Sequence, residues 1–166
     1  VILLALEIMN IFSSLVQKQA VDEILKCNDY TFRFGLALSY QNAIELIEMR
    51  TMSLKRYGRV EFGGGVINKI IKEFCDSPYI SKHNYVETLH ELIDIFYFYK
   101  NETLDLMSDD ELIKFMKNSF DGKCQGSLEL LSGRELDKMA RNLRYGYEPD
   151  YSEDNEWEEE DEDGEY

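Results

Sequence analysis

Proline is nearly absent, with two in 166 residues, so little in the chain interrupts helix. Cysteine is scarce as well. Cys27, Cys75 and Cys124 lie about 48 residues apart, an odd number with no paired spacing. That pattern argues against a disulfide framework and a structural zinc site, and it fits free thiols in a reducing cytoplasm. Only two histidines occur, His83 and His90, and no serine sits in a G-x-S-x-G context. No run reaches the eighteen or so apolar residues that span a bilayer. Residues 1–16 come nearest, but Glu7, Asn10, Ser13 and Ser14 interrupt them. They also lack the basic start and the cleavage signal of a secretory leader. The final absence is of positive charge: residues 148–166 contain no Lys or Arg against twelve Asp and Glu.

That last feature locates the net charge of −15. Residues 1–147 hold 21 acidic and 18 basic side chains, an ordinary balance, and the asymmetry belongs to the end of the chain. A phosphate backbone wants a basic footprint, so direct binding of nucleic acid is disfavoured. Eleven Tyr, nine Phe and an apolar fraction of 44% are those of a folded chain with one real core.

The core organiser is residues 84–100, NYVETLHELIDIFYFYK, which carry more large apolar and aromatic side chains than one exposed helix hides. Around it, Leu3, Leu4, Ile8, Ile11, Phe12, Leu15 and Val16 recur at three and four, and Ala20, Ile24 and Leu25 continue the stripe. This predicts a long first helix over 3–27, buried along its length. Residues 31–38 place Phe32, Phe34, Leu36 and Leu38 at a period of two, as a short extended segment or an apolar linker on the core. Ser39 is placed to cap a helix over 40–57 with Ala43, Ile44, Ile47 and Leu54 inside, and Gly58 ends it. After 60–62 and three glycines, helix resumes over 66–75 and closes at Pro78.

Three Ser/Asn-x-x-Glu capping boxes are expected, at Asn84/Glu87, Ser108/Glu111 and Ser132/Glu135. The last two belong to a longer likeness. MSDDELIKFMKNS from Met107 and LSGRELDKMARNL from Leu131 align without a gap at a separation of 24 residues. Two capped short helices converging on one solution explain this better than a repeat architecture, for which two copies are too few. Ser127 is placed to cap one more helical turn.

Chemistry is thinly signalled. Glu87-x-x-His90, with Glu91 and Asp94 nearby, has the spacing of a carboxylate-bundle metal site but occurs once, so it reads as a solvated face. Gly63, Gly64 and Gly65 precede a helix that has no lysine-serine after them, and they read as a tight turn. No catalytic residue, metal or cofactor is assigned. The acidic end remains: Tyr147, Tyr151 and Trp157 stand among Glu158, Glu159, Glu160, Asp161, Glu162 and Asp163. Aromatic anchors flanked by carboxylates suit a partner with a basic surface.

Several stretches are similar to a small uncharacterised family of Firmicutes bacteria. They are FxLxLxxxxAxELIExR over 34–50, GRVEFGGG over 58–65, FCDSPYI over 74–80, YVETLHELIDIFYFYKNE over 85–102, SDDELIKFM over 108–116 and CQGSLELLSG over 124–133. The resemblance runs from roughly residue 17 to 146 and brings no activity, cofactor or catalytic residue. It implies a bacterial cytoplasmic protein.

The expectation is a single all-α domain of about six helices over 1–147, with a minor two-stranded element from 31–38 and 60–62, and an acidic tail over 148–166. Its function reads as a non-enzymatic protein–protein interaction module engaging a basic partner through the tail. A nucleic-acid mimic that inhibits a nucleic-acid-binding protein is one alternative. An enzyme using His83 or His90 with Cys75 or Cys124 is another. A third possibility is a homodimer through residues 1–16, which would leave an exposed apolar stripe on the first helix.

Overall fold

The computed structural model describes residues 1–146, and they are all-α. The order is α1 (Ile2–Lys26), α2 (Asn28–Thr31), a 3₁₀ turn (Phe32–Phe34), α3 (Tyr40–Tyr57), α4 (Gly65–Phe74), α5 (Tyr85–Glu102), α6 (Asp109–Asp121), α7 (Leu128–Leu130), a π turn (Leu131–Glu135) and α8 (Leu136–Arg144). Six of these are long helices. The acidic tail, and with it the proposed boundary at 147, lies outside the described residues.

Helix α5 is the axis. Leu89, Leu92, Ile93, Phe96 and Tyr97 are at most 1% exposed, and α3, α4, α6 and α8 all pack on it. Each such side chain contributes about 1.5–3 kcal/mol when taken from water. Tyr85 and Tyr99 complete the buried set. The polar residues Glu87, Glu91 and Asp94 lie on the exposed side.

No strand forms among the described residues, which corrects the two-stranded element. Side chains satisfy the backbone that strands would have paired. Asn28 accepts from the Leu38 N–H at 2.8 Å and donates to the Leu38 carbonyl at 2.9 Å, while the Thr31 hydroxyl donates to the Leu36 carbonyl at 2.8 Å. Leu36 and Leu38 are buried, whereas Phe32 and Phe34 ride on a helical turn and point outward. Across 60–62 only Glu61 turns inward, and Val60 and Phe62 are nearly 80% exposed.

Caps follow the expectation in part. The Ser39 side chain accepts from the Asn42 N–H and Asn42 answers, a full box, and Gly58 stops α3 in the left-handed region at φ 63°. Ser108 caps α6 and Ser127 caps α7. Asn84 does not cap α5, because its amide is held by the preceding turn, accepting from the Ser81 N–H and donating to the Tyr79 carbonyl. Ser132 does not cap α8 either. It lies inside the π turn, where its carbonyl receives the Tyr99 hydroxyl.

The largest departure is α1. Only Ala20, Val21 and Ile24 of this 25-residue helix are buried, and residues 1–15 are exposed throughout. The expected buried first helix is therefore buried only in its last third. At about 1.5 Å per residue, roughly 22 Å of apolar rod stands clear of the body.

Burial, the first cause in each, holds the Tyr85, Tyr97 and Tyr99 phenols above their usual range, with Glu61 adding to it at Tyr97 and Asp137 at Tyr99. A raised folded pKa means that this stability is complete below about pH 10 and is lost as pH climbs beyond it, since only the unfolded chain ionises freely. Alkaline titration followed by tyrosinate absorbance should therefore show a late step that coincides with loss of helical circular dichroism. Full tyrosine ionisation with the helix signal intact would contradict this burial.

Candidate functional site

Three places were candidates for chemistry, and the structure closes two of them. At the glycine turn, Gly63 adopts φ 61°, and a Cβ there would run into the Glu23 carboxylate. Two of the N–H groups at the start of α4 are already taken. The Gly64 N–H donates to Glu23 at 2.5 Å and the Val66 N–H donates to Glu61 at 2.6 Å. An external anion would have to displace the chain's own carboxylates. Glu61 also receives the Tyr97 hydroxyl and pairs with Arg50 at 3.4 Å, and Arg50 donates to the Gly63 carbonyl at 2.7 Å.

This polar node was not foreseen from the sequence. Arg50 falls on the same face of α3 as Ala43 and Ile47 and is 5% exposed. A cation on a buried stripe demands a partner, and that was the available signal.

The histidine–cysteine readings find no support in the geometry. His83 is exposed on a turn, and His90 is half-buried with Nδ1 3.0 Å from the Met49 sulfur. Cys75 is buried and donates to the Lys72 carbonyl. Burial pushes the Cys27, Cys75 and Cys124 thiols up, away from the thiolate a nucleophile needs. Among the described residues, no three of His, Cys, Asp and Glu gather as metal ligands would.

The third place is a groove of about 560 Å³ between α6 and α8. Lys114, Phe115 and Asn118 line it from α6, and Lys138, Met139 and Asn142 line it from α8. Each trio has the spacing i, i+1, i+4, and the two are 24 residues apart. The internal likeness in the sequence therefore supplies the two walls of one groove, each with a lysine, an apolar side chain and an asparagine. Glu111 and Glu135 extend the match at the rim, and Leu112 and Leu136 anchor the two helices in the core at 0% exposure. Converging caps do not account for it, since Ser132 caps nothing. Lys123 adds a third cation to the lining.

The other sequence candidates divide cleanly. Tyr147, Tyr151, Trp157 and the acidic residues 158–163 lie outside the described residues. The apolar run at 1–16 is exposed along its length, with Leu4, Ile8, Ile11 and Leu15 each near 60%.

A model described as a family of unknown function, DUF6323, matches residues 23–149. The match meets the expected extent closely and leaves most of α1 outside it. No curated protein and no solved structure matches the chain.

Removing the carboxylate of the polar node strands a buried cation and an unpaired helix-start N–H. Glu61→Ala is expected to cost about 3–5 kcal/mol by chemical denaturation, and Glu61→Gln clearly less, since an oxygen acceptor remains. Equal losses for the two variants would show that the charge and the hydrogen bonds are not what holds this turn.

Proposed function

The chain belongs to that family of unknown function, membership brings no activity with it, and we propose that the protein is a non-enzymatic interaction module that pairs with a second copy through the first half of α1. One observation carries the reading. Val1, Leu4, Ile8, Ile11 and Leu15 repeat at three and four residues, the seam of a two-helix coiled coil, and each stands at least 58% exposed. Ten such side chains, five from each copy, gain about 1.5–3 kcal/mol apiece on burial, against an association cost of about 4–15 kcal/mol.

A second copy suits the rod better than a lipid surface does. Helices that lie in a bilayer interface present several Lys and Arg on the polar face, and here that face carries Glu7, Asn10, Ser14 and Gln17 with Lys18 as its one cation. No described helix is long and apolar enough to cross a membrane. Three buried free thiols fit a reducing, cytoplasmic setting.

Sedimentation should find a dimer that dissociates at micromolar concentration or below. Ile8→Glu should raise the dissociation constant about a hundredfold or more while the circular dichroism stays that of the parent. A chain that remains monomeric at about 100 μM would overturn the proposal.

The composition of residues 148–166 supports a second contact, between the acidic tail and a basic partner protein. Such binding should weaken as salt rises and vanish when 148–166 are deleted. An affinity unchanged from about 50 to about 500 mM salt would remove the tail from that role.

A further inference from the structure

We propose that the acidic segment 148–166 has its resting place on its own chain, in the groove between α6 and α8. The argument joins the groove's lining to the chain that follows it. Lys114 and Lys123 are exposed on the groove and form no ion pair among the described residues. Phe115 and the largely covered Met139 give an apolar floor between cationic walls. The two acidic groups of the lining only partly offset this: Glu135 is engaged by Arg134 at 2.9 Å, and Glu111 stands at one end.

The occupant has the complementary composition. Twelve carboxylates and no cation surround Tyr151 and Trp157, so one segment offers rings for the floor and anions for the walls. Connectivity brings the two together. Helix α8, whose Lys138, Met139 and Asn142 line the groove, ends at Arg144, and Gly146 follows in the left-handed region at φ 74°, where a chain turns back on its helix. The twenty residues after Gly146 reach up to about 70 Å when extended, against about 20 Å for the length of α6. A tether this short holds its end at millimolar effective concentration, so even a weak groove contact is populated.

The consequence is a tail that shields the groove and is itself withheld from a basic partner until salt or a stronger cation competes for it. The inference does not depend on dimer formation through α1.

Trp157 is the only tryptophan in the chain and reports directly on this contact. Its emission should be measured in the full-length Ile8→Glu variant, so that self-association does not contribute. At about 50 mM salt the emission is expected to be blue-shifted from that of a free 148–166 peptide, independent of protein concentration, and to move to the free value near 500 mM. Lys114→Glu with Lys123→Glu should shift it to the free value already at low salt. Should that variant fail to fold, Glu158→Lys, Glu159→Lys and Glu160→Lys together alter the tail alone and should do the same. Emission equal to the free peptide at low salt would overturn the proposal. So would a shift that neither set of charge reversals abolishes, or one that grows with protein concentration and so places the tail on another molecule.

Discussion

One carboxylate holds the middle of this protein together. Glu61 lies in a connection with no regular structure of its own, yet it closes the start of α4, neutralises a guanidinium buried in α3, and accepts a hydroxyl from α5. Three helices that share a hydrophobic core thereby also share a desolvated polar centre. Apolar burial supplies most of the free energy but is indifferent to small slides of one helix along another. A buried cation with one well-placed partner is not, because a shift of an ångström leaves a charge unpaired in low dielectric. Glu23 does the same from α1, reaching the Gly64 N–H and tying the last turns of that helix to the body. Ala20, Val21 and Ile24 pack the same end of α1 into the core, and residues 1–15 stand exposed.

The same constraint explains why the glycine turn is not a binding site. An anion-ready helix start must be left unfilled, and here two internal carboxylates fill it. What looks like a ligand cradle in the sequence is a joint. The α6–α8 groove is built differently, from two walls that repeat each other in residue type. Its lining sets Lys114, Lys123 and Lys138 beside Phe115 and Met139, with Glu111 and Glu135 among them. The exposed seam of α1 is a different kind of incompleteness, an apolar face that water tolerates poorly and that another helix completes.

Much of the architecture was legible in advance, for identifiable reasons. Periodicity placed α3, α4 and α5 because a helix buried on one side must repeat its apolar residues every third or fourth position. Ser39, Ser108 and Ser127 were legible as caps because a hydroxyl two or three residues ahead of a free N–H meets it through local geometry alone. Other expectations failed where a local rule met a competitor farther along the chain. The alternation at 31–38 has the period of a strand, but Asn28 and Thr31 satisfied that backbone first. Asn84 and Ser132 have the composition of caps, but a preceding turn and a tyrosine from α5 claimed their polar groups.

The sequence by itself determined where the six long helices lie, that α5 would be the core axis, and that charge is segregated to the last nineteen residues, since periodicity, capping and composition act over a few residues. Only the tertiary structure decided that half of α1 stands away from the body, that Arg50, Glu61 and Tyr97 meet, and that two like segments 24 residues apart form facing walls. Those outcomes depend on which faces meet across the fold, and that is set by packing among residues distant in the chain, which no local pattern records.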